Sequence, residues 1–265
     1  MVDPETRHLE APVRHAGLAY ALRALGRGRL PEQVDLADGQ YVLQQTIKHD
    51  FFAVTGFYVR ADGRRAVVKV GRTASLAGVP LEWVGRWLCG RELWFYQQLA
   101  DLPNVPRVLG RVGRTGFAHE YVEGRPLSKD HPVPDGFFNQ LQELMATLHR
   151  RRIAYVDTNK PQNILLGEDG RPHLIDFQIS WSARRWNPIS RWWLGRLRRA
   201  DLYHILKHKR RMRPDELTDA ERRIAWRKSP MIRLHRVVFK PYFLVRRWMM
   251  GKLRSSQRLL PEGSK

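Results

Sequence analysis

The chain is poor in cysteine, in acidic residues and in long hydrophobic runs. Its 265 residues contain one cysteine, Cys89, which excludes an intramolecular disulfide and a cysteine-rich zinc site. Such sparse use of cysteine favours a reducing compartment. No stretch of about 18 apolar residues is free of charge, so no membrane-spanning helix is expected. The charged residues 1–10 are not followed by an apolar segment, so no secretion signal is expected and we predict a cytoplasmic protein.

Positive charge is abundant, and it is concentrated in one region. The chain has 47 Lys or Arg and 26 Asp or Glu, a net charge of +21. Residues 184–254 hold 22 of the basic residues and only 5 acidic ones, whereas residues 1–183 are close to balanced. With 43 % hydrophobic residues, the chain can bury a real core. The excess charge predicts attraction to nucleic acid, an anionic membrane surface or a phosphorylated ligand.

The order of strand and helix patterns predicts an α+β protein with a small β-rich lobe followed by a mostly helical lobe. A hairpin is predicted at Asp62-Gly63, and strands are predicted on both sides of Thr55-Gly56. The other predicted strands cover 105–109, 117–122, 164–166 and 173–175, and helices are predicted over 82–99 and 137–150. We therefore expect an extension over 1–40, a first lobe over 41–123, a second over 124–205 and a basic aromatic helical region over 206–265.

Five polar residues stand at informative places in this pattern. Lys69 lies in the strand Val67-Val68-Lys69-Val70, and Glu92 lies on the following helix. Asp157 and Asn163 bound a loop between a helix and the strand 164–166, and Asp176 follows the second hairpin.

These residues resemble the motifs of the protein-kinase-like superfamily. Val67–Val70 resembles the strand that carries the kinase lysine, residues 157–163 resemble the catalytic loop, and Ile175-Asp176-Phe177 resembles the metal-binding motif. Residues 120–127 resemble the hinge between kinase lobes. The resemblance covers about residues 45–205 and implies a bilobal kinase fold that uses ATP and Mg²⁺.

The resemblance also implies a role for each residue. Lys69 would contact the α- and β-phosphates and be held by Glu92, and Lys160 would lie near the γ-phosphate. Asp157 would accept the proton of the acceptor hydroxyl. The remaining implied contacts are oxygen ligands to Mg²⁺ from Asn163 and Asp176, backbone contacts to adenine from Glu120 and Val122, and phosphate coverage near Gly56.

The sequence departs from the protein-kinase pattern at several positions. Gly56 is the only glycine between Lys48 and Val59, where that pattern has a glycine-rich loop, and Gln178 replaces the glycine after Asp-Phe. Five residues separate Asp157 from Asn163 instead of four, so an ungapped alignment would place Thr158 at the catalytic position. We expect a one-residue bulge that presents Asp157. The histidine that usually precedes this loop is absent, and we expect His149 and His173 to be structural.

With these departures, the sequence resembles two groups of kinases outside the ordinary protein kinases. The first is the bacterial lipopolysaccharide core kinases, which phosphorylate Kdo or heptose on a lipid anchor, and the second is the RIO-type atypical kinases. The short stretch between Asp176 and Asp201 leaves little room for a peptide-docking segment, which favours a lipid-linked sugar acceptor. An atypical protein Ser/Thr kinase and a non-catalytic nucleotide-binding scaffold remain the alternatives.

The basic stretch 184–256 also carries many aromatic residues. Its arginines are interleaved with tryptophans, a pattern typical of segments that bind anionic membranes. The tryptophans are Trp186, Trp192, Trp193, Trp226 and Trp248. We predict peripheral contact with the inner face of the membrane, in preference to packing inside the second lobe or to binding of nucleic acid.

Overall fold

The computed structural model describes residues 20–76, 78–183 and 186–226. It divides into two compact units. Of the described residues, the first unit holds 20–90 and 109–119, and the second holds 91–108 and 120–226. One change of unit falls at Glu120, near the predicted lobe boundary after residue 123, but residues 91–108 of the predicted first lobe belong to the second unit. Residues 227–265, including Trp248, lie outside the described part of the chain, as do residues 1–19.

The first unit is built on a six-stranded sheet with the order β1-β2-β3-β4-β6-β5. The strands are β1 (Gln33–Leu36), β2 (Gly39–His49), β3 (Ala53–Arg60), β4 (Arg65–Gly71), β5 (Val108–Val112) and β6 (Gly116–Glu120). The first four strands form successive antiparallel hairpins. The predicted Asp62-Gly63 hairpin joins β3 to β4, and Gly63 has a φ of 87°, a left-handed conformation that glycine adopts without strain.

One face of this sheet forms a hydrophobic core. Alternate residues of β3 and β4 are buried there, as expected for a sheet with one face covered. The core residues are Leu30, Val34, Tyr41, Val54, Tyr58, Ala66, Val68 and Ala118. Because Leu30 and Val34 belong to it, part of the predicted N-terminal extension is integral to the unit. The predicted boundary at residue 41 falls inside the β1–β2 hairpin, where Val34 pairs with Tyr41.

The prediction of two strands separated at Thr55-Gly56 is wrong, because β3 runs without interruption through both residues. The turn in this region instead lies at residues 50–52, between β2 and β3. The strand predicted over 105–109 also begins later, at Val108, after Pro103 and Pro106, which cannot donate a ladder hydrogen bond.

Helix α1 (Glu82–Gln98) begins in the first unit and ends in the second. The second unit contains helices α2 (Phe137–Arg150), α3 (Pro188–Met212) and α4 (Asp219–Trp226). The helix predicted over 137–150 is observed with those bounds, and its apolar face is buried. Pro188 occupies the first turn of α3, and the Asn187 side chain caps that turn by accepting from the amide of Ser190.

Two small sheets and three described 3₁₀ turns complete the second unit. Strand β9 (Ile164–Gly167) pairs with both β7 (Gly124–Pro126) and β10 (Pro172–Leu174), while β8 (Ile153–Ala154) pairs with β11 (Trp181–Ser182). Two of the 3₁₀ turns cover Asp157–Asn159 and Pro161–Asn163, between β8 and β9, and the third covers Pro214–Glu216, between α3 and α4. None of the helices in the described segments is long and apolar enough to cross a membrane.

Candidate active site

The loop between β8 and β9 consists of two consecutive 3₁₀ turns. The Lys160 amide donates to the Asp157 carbonyl over 3.0 Å and closes the first turn, and the Asn163 amide donates to the Lys160 carbonyl over 3.2 Å and closes the second. Val156, just before the loop, has a φ of 71°. A β-branched residue in this region is strained, and such strain persists only where the surroundings enforce it.

The side chains of this loop converge on the Asp157 carboxylate. Its Oδ2 accepts hydrogen bonds from Lys160 Nζ and from Asn163 Nδ2, the latter over 2.8 Å. Asp157 and Asn163 are buried, with 7 % and 8 % of their surface exposed. Burial raises the pKa of Asp157; Lys160 and Asn163 act in the opposite direction, and the charge of Asp176 raises it further. The pKa therefore lies above the usual value for an aspartate, as is typical of a general base.

Asp176 follows β10 and belongs to the same neighbourhood. Its main-chain amide donates to the Tyr96 hydroxyl over 3.1 Å, and its φ is 63°. The Tyr155 hydroxyl donates to the Ile175 carbonyl and lies 3.3 Å from the Asn163 carbonyl, so one buried side chain contacts both segments. Ile175 N also donates to the Asn163 carbonyl over 3.1 Å. The structure thus brings together the four predicted residues Asp157, Lys160, Asn163 and Asp176.

A buried carboxylate that sequence reasoning missed accepts hydrogen bonds from this loop and from the two residues before it. Asp201 on α3 has 0 % exposure and accepts from the amides of Tyr155 and Val156, over 3.0 and 2.8 Å. It also accepts from the Thr158 hydroxyl over 3.1 Å, and His149 Nε2 lies 3.2 Å from it. The sequence did carry a signal, because Asp201 is the only acidic residue between Asp176 and Asp215, within a basic helix.

Asp157 and Thr158 face different surroundings. The Thr158 side chain is fully buried against Asp201, and its carbonyl accepts from His208. The Asp157 side chain lies with Lys160 and Asn163 instead. The extra residue of this loop is accommodated by the pair of 3₁₀ turns, and the arrangement supports Asp157, rather than Thr158, as the candidate base.

Lys69 and Glu92 are placed on the predicted elements. Lys69 lies on β4, where it pairs with Thr55 of β3, and Glu92 is a buried residue of α1 with 2 % exposure. Lys69 belongs to the first unit and Glu92 to the second.

Gly56 has a packing reason in the structure, and its role in phosphate coverage stays a prediction. Gly56 lies within β3, and a Cβ built there would come within 2.5 Å of Leu30 Cδ1 and 2.8 Å of Tyr58 Cε2. Packing therefore accounts for the glycine. The true turn at residues 50–52 contains no glycine.

The predicted hinge residues border a cavity of about 270 Å³. The Glu120 amide donates to the Arg107 carbonyl over 2.9 Å. Because this amide already has an acceptor, the Glu120 carbonyl is the main-chain group that would contact an adenine edge. Asp157, Lys160, Asn163 and Asp176 do not line the cavity. Its lining is Pro103, Val105, Pro106, Glu120, Tyr121, Val122, Glu123, Glu168, Asp169 and His173.

The oxygen donors of the site fit Mg²⁺ in one particular way. In the described part of the chain no group of three or more His, Cys, Asp or Glu side chains could hold a metal ion. Asn163 uses its Nδ2 on Asp157, so its Oδ1 is the atom that would act as a ligand beside the Asp176 carboxylate. Mg²⁺ is commonly bound by one or two carboxylates together with substrate phosphates. This donor set therefore fits Mg²⁺ accompanied by a polyphosphate.

Comparison with known proteins identifies the fold. No protein-family model and no curated protein sequence matches the chain. Among solved structures, the chain is similar to Rio2 kinase from Chaetomium thermophilum, crystallised as an ADP/Mg²⁺-phosphoaspartate complex. The TM-score is 0.50 at 16 % identity, over 97 % of this chain and 98 % of that one. The chain shares the Rio2 kinase fold. This agrees with the predicted protein-kinase-like fold, while the resemblance to lipopolysaccharide core kinases stays a prediction.

Proposed function

We propose that the chain is an ATP- and Mg²⁺-dependent phosphotransferase that moves the γ-phosphoryl group to a hydroxyl. The observation that carries the proposal is the Asp157 carboxylate. It is buried and accepts hydrogen bonds from Lys160 and Asn163, and the nearby charge of Asp176 raises its pKa. The shared fold with Rio2 kinase, described as an ADP/Mg²⁺ complex, supports the same nucleotide and metal for this chain.

Each residue of the site has a defined task in this reaction. The Asp157 carboxylate would orient the acceptor hydroxyl and take its proton, and its raised pKa makes it a stronger base than an ordinary aspartate. Lys160 would neutralise charge that develops on the transferred group. Asn163 Oδ1 and the Asp176 carboxylate would hold Mg²⁺, which supplies charge neutralisation between the phosphates. Following the sequence resemblance, we assign Lys69 to the α- and β-phosphates, with Glu92 to hold it, and the backbone of Glu120 and Val122 to adenine.

For the acceptor, we propose the hydroxyl of a lipid-linked sugar. The support is an exposed basic and aromatic face at the start of α3, which suits an anionic membrane surface. Trp192 packs beside Trp193 at 5.4 Å, and the Arg196 guanidinium lies 4.8 Å from the Trp192 ring. The most exposed apolar side chains of the face are Trp186, Ile189 and Trp192, at 85 %, 73 % and 55 %. The shared Rio2 fold supports a protein Ser/Thr hydroxyl equally.

Turnover of ATP tests the reaction. We expect Mg²⁺-dependent loss of ATP that disappears in Asp176→Ala and on chelation of the metal, while the surface variant Asp130→Ala keeps the rate of the unchanged protein. Binding of ATP without any turnover in the presence of acceptors would instead favour a nucleotide-binding scaffold.

A comparison of acceptors tests the finer proposal. Radiolabel from γ-labelled ATP should enter lipid-linked core sugars more than a generic protein substrate, and the protein should sediment with anionic liposomes in a salt-sensitive way. Labelling of protein alone would favour the atypical protein kinase. Salt-sensitive binding to RNA without binding to liposomes would favour a nucleic-acid partner.

A further inference from the structure

The turn at residues 50–52 is closed by its own side chain. This turn joins β2 to β3 and so precedes the lysine strand, the position where protein kinases have a glycine-rich phosphate loop. The amides of Phe52 and Ala53 both donate to Asp50 Oδ1 over 2.9 Å, and the Asp50 amide donates to the Ala53 carbonyl over 2.9 Å. A carboxylate oxygen therefore occupies the amides that would otherwise receive a phosphate oxygen.

A buried arginine fixes the same turn from the other side. Arg72 is fully buried, its Nη1 donates to the Phe51 carbonyl over 3.0 Å, and its guanidinium lies 4.1 Å from the Phe51 ring centroid. The Arg72 amide also donates to the Phe52 carbonyl over 2.8 Å. Further donations to the carbonyls of Ala21 and Ala74 tie Arg72 to the neighbouring segments. Without glycine and held on both sides, the turn is poorly suited to fold over a phosphate.

A second lysine lies on the same face of the sheet as Lys69. Lys48 of β2 pairs with Thr55 of β3, and Thr55 pairs with Lys69 of β4. Side chains of directly paired residues point to the same face. The neighbouring Val54 and Val68 are buried on the opposite, core face. Two strand spacings separate the lysines, about 10 Å between their main chains, a gap that a polyphosphate can fill.

Asp50 pairs with this second lysine. Lys48 Nζ lies 2.7 Å from Asp50 Oδ2, and the Lys48 side chain is 61 % exposed. Burial by itself would raise the pKa of Asp50, but Lys48 and the two turn amides outweigh it and the pKa is lowered. The carboxylate is thus kept ionised beside Lys48, where it would compete with a phosphate for the ammonium group.

We propose that Lys48 and Lys69 together bind the polyphosphate of the nucleotide, and that Lys48 replaces the amides of a glycine-rich loop. Asp50 holds Lys48 at the end of the strand and exchanges it with the phosphate when nucleotide binds. This inference rests on the proposed ATP site and adds a binding residue to it. It also explains how phosphate can be held next to a turn whose own amides are occupied.

Dissociation constants for ATP, ADP and adenosine, measured by calorimetry on the full chain with Mg²⁺, test the inference. In Lys48→Ala we expect affinity for ATP and ADP to fall about tenfold or more, the loss typical of one charge-assisted hydrogen bond, with adenosine affinity unchanged. Lys48→Arg should restore most of the loss. Arg64→Ala removes the same charge from the far end of the β3–β4 hairpin and should leave all three constants unchanged.

A second variant examines the role of Asp50. Asp50→Asn keeps the oxygen that accepts from the turn amides but removes the charge, so ATP should bind more tightly and adenosine equally well. Weaker ATP binding in Asp50→Asn would contradict the competition. If the unchanged protein binds ATP and Lys48→Ala matches Arg64→Ala, the inference is overturned while the proposed function stands. If the unchanged protein binds no ATP, both fall.

Discussion

The Asp201 carboxylate accepts a hydrogen bond from the main-chain amide of Val156 over 2.8 Å, and Val156 holds a φ of 71°. The two residues are 45 positions apart in the sequence. The bond links the strained residue before the candidate catalytic loop to the buried interior of α3. Because a β-branched side chain disfavours this φ, the hydrogen bond from Val156 to Asp201 helps to hold the main chain in this conformation directly before Asp157.

Removal of the Asp201 carboxylate should therefore affect both stability and activity. In Asp201→Ala, two buried amides and the Thr158 hydroxyl lose their acceptor, which we expect to lower the free energy of unfolding by about 3 kcal/mol. Chemical denaturation measures the change, and ATP turnover should be lost at temperatures where the variant remains folded. Asp215→Ala, which removes an exposed partner of Arg213, is the matched control and should change stability little. Equal stability of the two variants would contradict the role of Asp201.

Asp157→Asn should separate catalysis from stability. The folded protein raises the pKa of Asp157, so this group favours folding most below its unfolded pKa, and that contribution is lost as the pH rises through the folded pKa. At neutral pH the ionised group costs stability, and its removal should leave the midpoint of thermal unfolding unchanged or higher. Turnover should fall by about a hundredfold or more, because the proton acceptor is gone. A variant that retains activity would exclude Asp157 as the base.

Lys160 should control the pH dependence of the reaction. Its ammonium group opposes the upward shift in the pKa of Asp157 that burial causes. In Lys160→Met the carboxylate loses this partner, so the acidic limb of the pH–rate profile should move to higher pH. Rates measured across the acidic range for both proteins provide the comparison. An unmoved limb accompanied by a uniformly lower rate would mean that Lys160 contacts the phosphoryl group without influencing the base.

Local sequence signals predicted much of the fold, and the missing parts depend on distant contacts. The Asp62-Gly63 hairpin and the helix Phe137–Arg150 follow from turn chemistry and apolar spacing, so both were accessible. The grouping of Asp157, Asn163 and Asp176 followed from the order of motifs. In contrast, the position of Arg72 at the end of a strand gives no sign that it is buried. Only the fold shows that its guanidinium donates to distant main-chain carbonyls such as that of Ala21.

The wrong prediction of two strands around Thr55-Gly56 comes from the glycine. Glycine is common where strands are interrupted, so the local pattern predicts a break there. In the structure the glycine is required by Leu30, a residue 26 positions earlier, whose side chain leaves no room for a Cβ. Tyr58, two residues away, also crowds this position, but the contact with Leu30 cannot be inferred from a short window around Gly56. A glycine needed for packing and a glycine needed for a turn have the same local signal.

Two glycines of helix α1 provide a further test of this distinction. A Cβ at Gly85 would lie 2.1 Å from the Arg72 carbonyl oxygen and 2.7 Å from its amide nitrogen, and main-chain atoms of a strand end cannot move aside cheaply. Gly85→Ala should therefore lower the free energy of unfolding by about 2–3 kcal/mol, as overpacked cores do. A Cβ at Gly90 meets no atom within 4 Å, so Gly90→Ala should stabilise the helix by about 0.5–1 kcal/mol. The two variants make the same chemical change on one helix, and urea denaturation should give shifts of opposite sign. Shifts of the same sign would mean that helix propensity, and not the close approach of Arg72, determines the need for glycine at residue 85.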